Sequence, residues 1–314
     1  MIEDRLFQAI DDSRAREKLS RQNLEKSLTG ETSNVLDLFE LKSGQDKENI
    51  ATYSAANSVE VYENFLDWLF QTFDVDEKQF RESLVDKLEL QDGQKVLITG
   101  CGIGGEVSCC LDKVGKQGEV HAQDLSKEMV LHAASGIRES NVLFTISNAM
   151  NLPYRNNYFD AVFHFGGINL FGDVKTGIAE MARVCRKGGV VVFGDEGIAP
   201  HLIDSEYGKI AINNIPLWNN DAPIKYLPTN SLNISLDYIL GNCFYLIRFT
   251  LGNEFPYMDI DVDHKGIRGG SARTRYFGQV EGVTEIAKAK LYEAAHKLDT
   301  SAHRLLTDLI EKNL

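Results

Sequence analysis

Positive charge is in short supply: 33 Lys and Arg stand against 46 Asp and Glu, a formal net charge of −13 over 314 residues. Phosphate contacts need clustered cations and the mean field would repel a polyanion, which argues against a general nucleic-acid binder. Long apolar runs are missing as well. No segment approaches the roughly 18 consecutive apolar residues of a membrane-crossing helix, and the opening MIEDRLFQAIDDSRAREKLS has no apolar core of the signal-peptide kind. The expectation is a cytoplasmic protein that uses neither nucleic acid nor membrane. Cysteine is scarce and odd in number: Cys101, Cys109, Cys110, Cys185 and Cys243 show no CxxC spacing, so small, reduced, buried side chains are expected rather than zinc, redox or disulfide chemistry.

What is present is the composition of an ordinary globular chain, long enough for one main α/β domain with appended segments. Residues 1–56 are polar and charge-dense and read as an N-terminal helical extension. From residue 57 a core begins with two helices broken near Asp74, apolar at Val61, Phe65, Trp68, Leu69 and Phe73, then at Phe80, Leu84 and Leu88. From residue 95 strands and helices alternate: KVLITG, GGEVSCCLDKVG, EVHAQD, a helix opened by Ser126, VLFTIS, FDAVFHFG, VKTGIAEMARVCR and GGVVVFGDE. Such alternation implies βαβ units in a parallel, doubly wound sheet, with ligands beyond the carboxyl ends of the strands. PHLIDSEYGKIAINNIPLW reads as a helix, and two apolar runs joined by Gly241-Asn242 read as an antiparallel hairpin at the sheet edge, closing the core at residue 251.

The first strand ends in VLITGCGIGG, four glycines within six positions. Glycine there lets the main chain approach a ligand with no Cβ in the way. Gly100, Gly102 and Gly105 satisfy the dinucleotide spacing, and Gly100, Gly102 and Gly104 satisfy a tighter one, so the turn alone leaves the cofactor open. Asp124, at the end of the second strand, suits a ribose diol in either case.

The segments SNAMNLPYRNNYFDAVFHFGGINLF and IAEMARVCRKGGVVVFGDEG decide between them. Together with the turn they resemble class I S-adenosylmethionine-dependent methyltransferases, in particular the ubiquinone and menaquinone C-methyltransferase branch, over about residues 90 to 200. The resemblance implies a seven-stranded Rossmann-like sheet and S-adenosylmethionine as cofactor. It implies that Gly100, Cys101, Gly102 and Gly104 face the methionine part of that cofactor and that Asp124 holds its ribose. Leu125 and Met129 would flank the adenine, Asn148 and Ala149 its amino edge, and Phe165 the same pocket. Ile98 and Thr99 stand where the family often has Asp or Glu, so the methionine amine needs another partner.

Methyl transfer from a sulfonium is an in-line displacement, and a base is required only for some acceptors. Asp195, Glu196 and His164, at the ends of two strands, are the candidate catalytic groups. Tyr53, Asn169 and His201 are candidates for the substrate side, with Tyr62, Phe65 and Trp68 as possible cover for the methyl donor. Residues 252–314 form a C-terminal extension in which His264, Lys265, Arg268, Arg273 and Arg275 crowd twelve positions. This segment reads as a lid whose Arg268, Arg273 and Arg275 would grip a carboxylate or phosphate. Asp259, Asp261 and Asp263 alternate as on one face of a strand, and neutralising those bases is a better use for them than a metal, so none is expected.

The resulting expectation is a methyltransferase for a small anionic metabolite, carboxylate-bearing, such as an amino acid or thioether. The alternatives are a C- or O-methyltransferase of a quinone-like or other aromatic compound, a cofactor-binding protein without catalysis, and an NAD-dependent enzyme. Either extension could make a homo-oligomer.

Overall fold

The computed structural model describes residues 8–11, 34–38, 44–53, 57–266, 269–277 and 284–313. The chain divides into two compact units, Met1–Pro256 and Tyr257–Leu314.

The first unit is built on one sheet of eight strands: β1 (Val35–Asp37), β2 (Lys95–Thr99), β3 (Glu119–Asp124), β4 (Val142–Ile146), β5 (Phe159–Phe165), β6 (Cys185–Glu196), β7 (Ser231–Ile239) and β8 (Phe244–Leu251). Their spatial order is β1-β4-β3-β2-β5-β6-β8-β7. Pairing is parallel as far as β6, and β8 runs antiparallel to both β6 and β7. The order reverses direction at β2, where the chain leaves for β3 on one side and returns to β5 on the other. This is the switch point at which open α/β sheets bind their ligands.

Both faces of the sheet are covered, because the central strands are apolar at successive positions rather than at alternate ones. Val96 and Ile98 pack with Val107, Cys110, Val120 and Val130 on one side, while Leu97, Val162, Ile178, Met181 and Phe193 form the other layer. Among the described residues, the helices of this unit are α1 (Gly44–Tyr53), α2 (Ser58–Thr72), α3 (Glu77–Asp86), α4 (Gly105–Val114), α5 (Lys127–Gly136), α6 (Val174–Val184) and α7 (Glu206–Asn214). The expected break near Asp74 is there: Asp74 takes a left-handed φ of 49° and Asp76 caps α3 by accepting the Gln79 N–H at 2.8 Å. Ser126 caps α5 in the same way through Met129 N–H.

Three local readings are corrected. The sheet has eight strands rather than seven, because Val35–Asp37, inside the segment read as helical, pairs in parallel with β4. Three residues are too few to show an alternating pattern. The hairpin connection is four residues, since the ladder closes at Ile239 and Phe244, and Leu240, Gly241 and Asn242 all take left-handed φ angles. PHLIDSEYGKIAINNIPLW is not one helix: Pro200 and Pro216 each start a separate 3-10 turn on either side of α7.

The second unit contains α8 (Ala272–Phe277), α9 (Glu285–Lys297) and α10 (Ala302–Asn313). Asp259, Asp261 and Asp263 lie in turns and irregular chain, not in a strand. Asp261 grips Arg273 with two hydrogen bonds, 2.6 Å from Nε and 3.0 Å from Nη2, and Arg275 donates to the Gly269 carbonyl at 2.6 Å. Arg268 lies outside the described residues.

Candidate active site

A cavity of about 550 Å³ opens at the carboxyl ends of β2, β3 and β5. Its floor is the glycine turn. Gly100 and Gly102 have φ of 62° and 50°, a region in which a side chain is strained, and a Cβ on Gly100 would lie 2.9 Å from the His164 ring. Gly102 turns its open side to the Tyr62 ring, 3.5 Å from where a Cβ would be. Gly104 is not in the wall; it lets α4 pack onto α5, with Ala133 at 3.0 Å from the Cβ it lacks.

Asp124 ends β3 facing this turn. Its Oδ2 accepts the Gly102 N–H at 2.8 Å and its Oδ1 the Ser126 N–H at 2.9 Å. Burial pushes its carboxyl upward in pKa, while the N–H groups of Ser126, Gly102 and Leu125 pull it back. The result is a carboxylate fixed in orientation with further lone pairs to offer. Asn148 starts the 3-10 turn Ala149–Asn151, its amide oxygen accepting Met150 N–H at 2.9 Å. Burial, followed by the charges of Asp124 and Glu106, raises the Cys101 thiol well above its ordinary value, so it stays protonated and inert.

Beside the polar floor the wall is apolar. Phe65, Leu66, Leu69 and Phe70 come from α2, Phe80 from α3, Phe165 from β5 and Phe244 from β8. The spacing of Val61, Phe65 and Leu69 puts one stripe of α2 toward the cavity. Trp68 is not in the wall and stacks on Trp218 at 6.4 Å. Among the described residues, Arg81 is the one Lys or Arg that lines the cavity. Its guanidinium is committed to Glu77, at 2.8 Å from Nε, and to Glu106 at the first turn of α4.

Three further candidates meet where β6 ends. Asp195 is fully buried and takes the N–H groups of Gly167, Asn169 and Glu196 at 3.1, 2.6 and 2.8 Å. Asn169 holds the Glu196 carbonyl at 2.7 Å and receives the Tyr245 hydroxyl at 3.3 Å. Glu196 reaches the cavity wall, whereas Asp195 and Asn169 stand behind it. Burial, then the hydrogen bond and charge of Asp195, push the Glu196 carboxyl up to about 9. Tyr53 lines the same end, its phenol raised by burial and then by Glu196, Asp124 and Asp195. The structure therefore brings Gly100, Cys101, Gly102, Asp124, Leu125, Met129, Asn148, Ala149, His164, Phe165, Glu196 and Tyr53 to one cavity. His201 is exposed on its 3-10 turn and outside the wall, and Arg273 and Arg275 belong to the second unit.

Residues 97–193, from β2 to the middle of β6, match the methyltransferase domain family. The match takes in the glycine turn and Asp124. The chain is 32% identical over 143 residues to demethylmenaquinone methyltransferase from Geobacillus sp. (strain WCH70), a match covering 45% of this chain and 56% of the relative. It is 30% identical over 122 residues to the methyltransferase GfsG of Streptomyces halstedii, covering 38% and 43%. The chain thus spans about half the length of the curated relatives it matches. In fold it is similar to Haemonchus contortus phosphoethanolamine N-methyltransferase 2 in complex with S-adenosyl-L-methionine, with a TM-score of 0.53 at 14% identity, covering 68% of this chain and 61% of that one. The matched segment supplies the floor of the cavity, while α2 and α3, which precede it, supply much of the apolar wall.

Proposed function

We propose that the chain is an S-adenosylmethionine-dependent methyltransferase acting on a small, apolar acceptor of the quinone-like or other aromatic kind. The apolar wall carries this reading. An acceptor bearing a carboxylate would meet phenylalanines and leucines there, and the one guanidinium present is already matched by two carboxylates. The relatives named as demethylmenaquinone methyltransferases point to the same substrate class, and the earlier expectation of an amino acid or thioether gives way to it.

The residues fit the cofactor. The left-handed glycines leave a backbone cradle that a Cβ would fill, Asp124 offers a carboxylate to a ribose diol, and Leu125, Met129 and Ala149 give an adenine an apolar slot edged by Asn148. When bound, S-adenosylmethionine supplies an electrophilic methyl group on sulfur. Glu196 keeps its proton at neutral pH and shares it with Asp195, which leaves its other oxygen to accept a hydrogen bond from a hydroxyl of the acceptor, and Asn169 positions it through the backbone of residue 196. The aromatic wall orients the acceptor ring and excludes water.

Incubation of the purified chain with methyl-labelled cofactor and a panel of acceptors tests this. Label should pass to a reduced naphthoquinone lacking its ring methyl, and not to amino acids or thioethers. Transfer to a carboxylate-bearing acceptor, with none to the quinol, would overturn the substrate class.

A further inference from the structure

Glu106 has entered only as a partner of Arg81, and that contact uses one of its two oxygens. The residue stands in the first turn of α4, is 6% exposed, and forms part of the cavity wall. Its Oε1 receives Arg81 Nη1, while its Oε2 has no hydrogen-bond partner among the described residues. Three other polar atoms of the wall are unpartnered, Ser58 Oγ, Gln123 Oε1 and His164 Nε2, and all three are sealed by their neighbours. Glu106 Oε2 is not sealed in this way, and the small surface the residue keeps belongs to the cavity wall. The charges also leave a surplus. Arg81 reaches Glu77 through Nε at 2.8 Å and Nη2 at 2.7 Å, so one guanidinium answers two carboxylates and one negative charge is left over. Water screens the half-exposed Glu77, but a buried carboxylate with an idle oxygen calls for a cation that has an N–H to give.

Position says which cation. The Tyr62 hydroxyl lies 3.6 Å from where a Gly102 Cβ would be, so it marks the Gly102 end of the glycine turn. Burial and then the charge of Glu106 push this phenol upward, and Glu106 acts with Asp124 on the Cys101 thiol as well. The free carboxylate oxygen therefore serves the glycine turn, the part of the floor given above to the methionine end of the cofactor. That end brings an ammonium group. The other carboxylates of the wall are engaged: Asp124 receives two backbone N–H groups and faces the ribose, and Glu196 shares a proton with Asp195. At its carboxyl end β2 offers none, since it closes on the uncharged Ile98 and Thr99.

We infer that Glu106 Oε2 accepts a hydrogen bond from the α-ammonium group of S-adenosylmethionine, so that the first turn of α4 supplies the carboxylate that the end of β2 lacks, with Arg81 fixing its orientation through the other oxygen. This rests on the cofactor reading above.

Calorimetry on the full chain tests it with S-adenosylhomocysteine and its analogue lacking the amino group. The wild type should prefer the amine-bearing ligand by about tenfold or more, the size of a hydrogen bond to a charged group. Glu106→Gln keeps an oxygen for Arg81 but removes the charge, and should erase most of that preference while leaving the Kd of the deaminated analogue within about threefold. Should the Gln variant fail to fold, Glu106→Asp, which keeps the charge but withdraws it by one methylene, carries the same comparison. A folded variant that keeps the wild-type preference overturns the inference. The ratio of S-adenosylmethionine to S-adenosylhomocysteine affinity should be alike in wild type and variant, because both ligands carry the ammonium. A change confined to that ratio would assign the charge to the sulfonium and overturn the inference as well. If the wild type binds none of the three nucleosides, the cofactor reading itself fails. If it binds S-adenosylhomocysteine and the deaminated analogue equally, only the role of Glu106 does.

Discussion

At Asp124 the carboxylate holds the glycine turn through Gly102 N–H, and the proposed function gives it a second task, offering its remaining lone pairs to the ribose. Asp124→Ala should weaken S-adenosylmethionine binding by at least about tenfold, measured by calorimetry on the folded variant, because two ribose hydroxyls lose a charged acceptor. Glu196 gives a second prediction, in pH. Its folded pKa of about 9 stands above an ordinary 4.5, so between those values the folded chain keeps a proton that the unfolded chain releases. Stability from this group is therefore fully present below about pH 4.5 and is lost as pH rises toward about 9. Glu196→Gln should remove that slope and raise stability at neutral pH, on the order of 1–3 kcal/mol, seen in urea melts from pH 5 to pH 9. In the wild type kcat/KM should decline as pH passes about 9, where the proton shared by Glu196 and Asp195 is lost and the acceptor would meet two charged carboxylates, and the Gln variant should lack that decline.

Among the elements, the proposed function gives the Phe65 side of α2 to the acceptor and leaves the glycine turn to the cofactor. Phe65→Ala removes an aromatic face from the wall without touching the glycine turn, so acceptor KM should rise about five- to thirtyfold, the range of 1–2 kcal/mol of lost apolar contact, with cofactor Kd unchanged. An equal loss for both ligands would remove the division of the cavity. The alternation of strands and helices from β2 to β6 was legible because each element carries its own period, and so were the glycine turn and Asp124, which are local signals. The stripe at Val61, Phe65 and Leu69 announced a helix but not what its apolar face would meet. The Arg81 pairing with Glu106 joins residues 25 apart in sequence, and neither residue's neighbourhood carries a signal for it. Gln123 and His164 become neighbours of Thr99 only through strand register, which sequence periodicity does not reveal. The arginines read as an anion grip were visible as composition, yet the Asp261 contact that occupies Arg273 is a fact of folding.

For the molecule as a whole, the consequence lies in β1. This three-residue strand covers the outer side of β4, whose sequence VLFTI carries no charge and is buried throughout. Phe144 N–H donates to the Asn34 carbonyl and Leu38 N–H to the Ile146 carbonyl, both at 2.8 Å, so β1 satisfies backbone groups that would otherwise seek a partner. Leu36, 1% exposed, anchors it in the core. Leu36→Asp places a charge there and should release the strand, leaving a flat, uncharged edge able to template pairing with another molecule. The expected outcome is self-association seen by light scattering, while the fraction still monomeric keeps near-normal cofactor affinity. The net charge of −13 holds such molecules apart at low ionic strength, and added salt shortens the reach of that repulsion. Association of the variant should therefore quicken with salt, which makes one short strand and the surplus of carboxylates joint guardians of colloidal stability.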